Sequence, residues 1–162
     1  MVEEAVAICD GVQKRYDPAK HNPFNEVECG DHYARAFASW GVYTALAGYE
    51  YHGPKGHIGF APAVTPDDFR AAFTAAEGWG TFSQKRKGKT QQEMIELRWG
   101  RLALKSLAFE VPENFKPAQV TLTTAGKSSK CDYTLKDRRV EISLKDPLIL
   151  TPGQMLVVTI QR

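Results

Sequence analysis

Residues 94–111 read MIELRWGRLALKSLAFEV. Apolar and polar residues alternate from Met94 to Trp99 and again from Leu102 to Val111. A period of two is the mark of a half-buried β-strand, because successive side chains point to opposite faces. The same alternation returns at Val120–Thr124, Val140–Leu144 and Met155–Ile160, with turn signals at Pro112, Gly126, Asp137, Asp146-Pro147 and Pro152-Gly153. Short strands at this spacing predict an antiparallel, sandwich-like sheet structure from about Gly78 onward.

Upstream the period is helical. Val2, Val6, Cys9, Val12 and Tyr16 recur on one helix face, and Asp17-Pro18 closes it. Asp31 is a plausible N-cap for a second helix, about residues 32–47, which ends at Gly48. A loop rich in Gly, Pro and His follows from Tyr51 to Pro62, and Thr65-Pro66-Asp67-Asp68 reads as the start of a short helix through Phe69, Ala72 and Phe73. The expected division is therefore a helical part, 1–76, and an antiparallel β-rich part, 77–162. Met1 runs straight into the first helical pattern without a cap, as expected of a piece of a longer chain.

The chain has 162 residues, 43% hydrophobic and 25% charged, with a net charge of +2. That balance predicts a globular protein and gives no global reason to expect nucleic acid. No apolar run approaches the ~20 residues of a bilayer span. Three cysteines without CxxC spacing argue against a disulfide framework or zinc ribbon; with no signal-peptide pattern, they lean toward reduced thiols and a cytoplasmic setting. Lys85, Arg86, Lys87 and Lys89 around Gly88 read as a solvated hairpin tip.

The helix at 32–47 carries one certain charge, Arg35, on a surface of Ala, Phe, Trp, Tyr, Val and Leu. A helix apolar all round is expected to be enclosed, here by another domain, another subunit or the rest of a parent enzyme. A buried guanidinium needs a carboxylate or a polar ligand. Glu26 and Glu28, two apart, would point to opposite sides of an extended loop, so one can pair with Arg35. Either this pair is structural, or it holds a substrate's hydroxyls. His21, Glu28, Cys29, Asp31 and His32 match no standard metal spacing, and neither metal nor cofactor is expected. His52 and His57 are expected to stack or cap. Trp79, Phe82 and Trp99 are either sugar-stacking aromatics or core.

The run NPFNEVECGDHYARAFASW (22–40), followed by AGYEYHGPKGHIGFAP (47–62), resembles glycoside hydrolase family 116, which includes β-glucosidases and non-lysosomal glucosylceramidases. The resemblance covers residues 1–82 and includes the preceding DGVQKRYDPAKHNPFNE. It implies an α+β architecture: the terminal helices of an (α/α)6 barrel followed by an antiparallel, sandwich-like extension. It also implies a retaining β-glycosidase whose nucleophile and acid/base lie in earlier segments of such a chain, so that none is assigned here. Glu26 and Arg35 correspond to residues that hold glucose hydroxyls, with Glu28, His32 and Phe24 on the pocket wall; Phe24 stands where many members have Trp. The implied ligand is a β-glucoside or a related glycoside. The alternative is a stand-alone carbohydrate-binding or interaction module with its binding face on the β part.

Overall fold

A computed structural model of the chain describes residues 1–16, 19 and 37–162. It divides into two units, Met1–Ala45 and Leu46–Arg162. The first holds helix α1, Val2–Gln13, and most of helix α2, Phe37–Ala47. Val2, Val6, Ile8 and Val12 of α1 are all exposed. Helix α2 ends at Gly48, whose left-handed backbone (φ +54°) brings it so close to Ala61 that a Cβ would sit 2.2 Å from the Ala61 carbonyl oxygen. Only glycine fits there.

The second unit is built from eleven strands: β1 Glu50–His52, β2 His57–Phe60, β3 Asp68–Ala75, β4 Gly78–Lys87, β5 Thr90–Gly100, β6 Leu102–Glu110, β7 Gln119–Thr124, β8 Lys127–Lys130, β9 Tyr133–Lys136, β10 Arg139–Leu150 and β11 Met155–Gln161. They form a five-stranded sheet in the order β1-β2-β6-β10-β9 and a six-stranded sheet in the order β3-β4-β5-β11-β7-β8. Pairing is antiparallel except between β2 and β6.

The two sheets meet through phenylalanines. Phe60 on β2 stacks on Phe82 of β4, with ring centroids 3.8 Å apart, and Phe82 is flanked by Phe109 of β6 at 6.2 Å. Phe73 on β3 meets Phe60 edge-on at 6.1 Å. Leu97, Leu104, Leu107, Ile142, Leu156 and Ile160 fill the space around them, all fully buried. Burial of these rings and branched chains drives the sheets together.

Several expectations are corrected. The described chain is mostly β, with two α-helices and two sheets, and no (α/α)6 barrel helices are present among the described residues. Trp40, Val42 and Tyr43 of α2 are exposed within this chain. The period-two structure also begins before Gly78. The segment read as a short helix from Thr65 is strand β3, in which Phe69, Ala71 and Phe73 point inward while Arg70, Ala72 and Thr74 point out. Its Phe–Ala–Phe spacing fits both periods, and pairing with β4 decides for the strand. The loop expected from Tyr51 contains β1, a turn at Gly53–Lys55 and β2. Asp146-Pro147 does not end a strand; β10 runs through it with a register shift between Ser143 and Leu148, which accommodates the missing proline N–H.

Candidate functional site

The aromatic residues are sorted by type. Among the described residues six phenylalanines are buried, whereas the three tryptophans are exposed: Trp40 at 61%, Trp79 at 49% and Trp99 at 63%. Trp79 and Trp99 are directly opposite on β4 and β5. Strict alternation along β5 would put Trp99 on the inward side with Ile95 and Leu97. The register instead passes from Trp79–Trp99 to Gly80–Leu97, leaving Arg98 as an extra residue. This bulge turns Trp99 over, so both indoles lie on the outer face of the six-stranded sheet. For Phe82, read as either sugar-stacking or core, the structure decides for the core, where it is fully buried.

A groove of about 360 Å³ lies farther along the same face, lined by Arg70, Thr81, Ser83, Met94, Glu96 and Met155 among others. Glu96 is paired with Arg98 at 2.9 Å, and Asp68 with Lys85 at 3.9 Å. The face therefore offers two large apolar ring surfaces beside hydroxyl and guanidinium donors. That is the composition of a site for a ligand with an apolar face and polar edges.

The outer face of the five-stranded sheet carries a second polar cluster beside a cleft of about 540 Å³. Glu50, Gly59, Ala108 and Glu141 form one row across four strands; His52, His57, Ser106 and Ser143 form another. Ser106 Oγ lies 2.8 Å from His57 Nδ1, and His57 Nε2 lies 3.6 Å from Glu50. The order hydroxyl, imidazole, carboxylate is that of a nucleophile relay. Glu50, however, is committed elsewhere. Arg139 Nη1 and Nη2 donate to its two oxygens at 2.8 and 2.6 Å, while Arg139 Nε donates to Glu141 at 2.9 Å. These bonds hold the Glu50 carboxyl below the usual carboxylate range. The cluster is a brace across strands.

Inside the sandwich, Gln84, Gln91 and Glu93 are fully buried. Gln91 Nε2 donates to Glu93 Oε1 (2.6 Å) and to the Glu110 carbonyl (2.8 Å), and Gln84 Nε2 donates to the Pro66 carbonyl (2.6 Å). Arg86, expected at a solvated tip, is drawn in and donates to Gln91 Oε1 and the Glu110 carbonyl. The turn itself, Gly88-Lys89, lies between β4 and β5. Glu93 Oε2 has no hydrogen-bond partner, and desolvation pushes the Glu93 carboxyl up to about 8. At neutral pH it is predominantly protonated.

The sequence-derived residues Phe24, Glu26, Glu28, His32 and Arg35 lie outside the described residues, as do His21, Cys29 and Asp31. His52 Nδ1 accepts the Lys55 N–H (3.3 Å), a capping role. Among the described residues no group of three or more His, Cys, Asp or Glu is placed to hold a metal ion, and no helix is long and apolar enough to cross a membrane. The Trp79–Trp99 pair was visible as two residues, but the bulge that brings them onto one face was not.

No protein-family model matches the chain, and no curated protein does. Among solved structures it is similar to part of an α-L-rhamnosidase from Dictyoglumus thermophilum, a glycoside hydrolase, with a TM-score of 0.43 and 12% identity. The likeness covers 82% of this chain and 14% of that one.

Proposed function

We propose that the chain is the sugar-holding part of a β-glycoside hydrolase and that its β sandwich presents a carbohydrate-binding face. The observation that carries this reading is the bulge at Arg98, which turns Trp99 out beside Trp79. Bulges recur where a strand must re-aim a side chain for a site. A pyranose ring has an apolar C–H face and a rim of hydroxyls. Two open indoles meet the first, and Thr81, the next outward residue on β4, meets the second.

The motif segment supports the enzyme part of the proposal. In the NE-x-E-C-G and HYAR runs, Glu26 accepts from sugar hydroxyls and Arg35 donates to them, with Phe24, Glu28 and His32 beside them. The enzyme is of the retaining β-glucosidase or glucosylceramidase kind, and this chain supplies binding groups and no catalytic carboxylate. The exposed apolar side of α2 is covered by another part of that enzyme or by another subunit.

Titration of the full chain with cellobiose, followed by tryptophan fluorescence, tests the reading. Binding is expected, and Trp79→Ala or Trp99→Ala should abolish it while the fold survives. Binding that is unchanged in both variants would sink the platform. Turnover of aryl β-glucosides by this chain, lost on Glu26→Gln, would overturn its assignment as binding part only.

A further inference from the structure

Resting on that reading, we infer that the tryptophan pair heads a track for an unbranched chain of neutral sugars along β4 and β5, and is not a seat for a single ring. The strand register sets out the track. Beyond Trp79 and Trp99, outward pairs follow in order: Thr81 with Glu96, Ser83 with Met94, and Lys85 with Gln92. Each step is two residues, so the three steps span about 20 Å. That length takes several pyranose rings end to end.

The sides of the track come from the neighbouring strands. On β3, Ala72 stands beside Thr81 and Arg70 beside Ser83; on β11, Met155 stands beside Glu96 and Val157 beside Met94. The groove lies along this line, at Arg70, Thr81, Ser83, Met94, Glu96 and Met155. Its chemistry changes with distance from the indoles. Stacking dominates at the head, and hydrogen bonding takes over where Arg70, Thr81 and Ser83 converge.

Among the described residues, these three side chains make no hydrogen bond to protein, so their donors remain for a ligand. The acidic groups of the floor are matched, Glu96 with Arg98 and Asp68 with Lys85. A neutral chain rich in hydroxyls therefore meets no unpaired carboxylate. A single glycoside would use the tryptophans and leave the second and third pairs to water.

The test is calorimetric titration of the full chain with cello-oligosaccharides from glucose to cellohexaose. Affinity should rise by about tenfold between disaccharide and tetrasaccharide, the gain from one further charge-assisted hydrogen bond, and then level off. Arg70→Ala, and Ser83→Tyr as a block in the groove, should reduce tetrasaccharide binding to the disaccharide level and leave the disaccharide unaffected. Equal affinity at all lengths, with Trp79→Ala still abolishing binding, would overturn the track and leave the tryptophan platform standing. Absence of binding at every length would overturn both.

Discussion

Arg139 grips Glu50 with two hydrogen bonds, 2.8 and 2.6 Å, although the two residues sit on strands separated by two others. Contact over that distance requires short residues between. They are Gly59 and Ala108, which lie in the same row as Glu50. A Cβ on Gly59 would already press to 3.3 Å from the Ala108 methyl. The brace ties edge strand β1 to β10, the far neighbour of β6.

Both side chains are a third to a half exposed, so solvent screens their attraction and the coupling should be about 1 kcal/mol. The Glu50 carboxyl is held below its unfolded value of 4.5, chiefly by Arg139. Its contribution is therefore present above that value and is lost as pH falls through the lowered one. A double-mutant cycle with Glu50→Gln and Arg139→Met, read by urea denaturation, should give this coupling near neutrality and none in strong acid. A coupling that ignores pH would show that packing of the arginine stem holds the edge instead.

Glu93 should behave in the opposite sense. Its folded carboxyl titrates near 8, above the unfolded value of 4.5. As pH rises between those values, the unfolded chain releases a proton that the folded one keeps, so stability falls. The loss is roughly 1.4 kcal/mol for each pH unit of that interval. Glu93→Gln preserves the shape and the bond from Gln91 without the ionisation. The variant should lose this slope and be more stable than the parent at mildly alkaline pH. Equal slopes in denaturation from about pH 5 to pH 8 would refute the assignment.

The alternation that marked β5, β6, β7 and β11 was legible because one face of each strand packs on the core and the other meets water. Where that contrast is absent, the pattern fades. Strand β2 is fully buried from Ile58 to Phe60 and shows no alternation, and β8 is exposed throughout and shows none either. In β3, the Phe69, Ala72 and Phe73 spacing suits a helix, and only pairing with β4 resolves it. Helix α2 was legible as a helix, and its apolar surface says that it wants cover and not where cover lies. The candidate site was hidden for another reason. Trp99 falls in phase with Ile95 and Leu97, and a one-residue bulge, visible only in the pairing with β4, reverses its direction. Lys85, Arg86 and Lys87 looked alike as charges, yet Arg86 turns inward because Gln91 and the Glu110 carbonyl await its donors.

The division between core and surface aromatics predicts opposite mutational effects. Phe82 is fully buried between Phe60 and Phe109. Phe82→Ala should cost about 3–5 kcal/mol through lost burial and the cavity left behind. Trp79→Ala and Trp99→Ala remove half-exposed rings from the outer face and should shift stability by about 1 kcal/mol or less. Thermal denaturation of the three variants decides the matter. A loss at Trp99 as large as that at Phe82 would mean that Trp99 is a packing residue, and the outer face would lose its claim to a ligand.

The bulge can be tested without touching either tryptophan. Gly80 follows Trp79 at the register shift, and a Cβ there would lie 2.1 Å from the Glu96 carbonyl oxygen and 2.9 Å from the Phe73 ring. The obstacle is partly backbone, so β5 must move if alanine is to fit. Gly80→Ala should cost about 1–3 kcal/mol as an overpacked site. It should also displace Trp99 relative to Trp79 and weaken saccharide binding, although both indoles remain. Gly88→Ala in the adjoining β4–β5 turn is the control. Its Cβ meets open space, and its φ of +58° costs only local strain of roughly 1 kcal/mol. If Gly80→Ala binds sugar as the parent does, the alignment of the two tryptophans is not what the ligand reads. If both glycine variants weaken binding equally, general loss of stability is the cause.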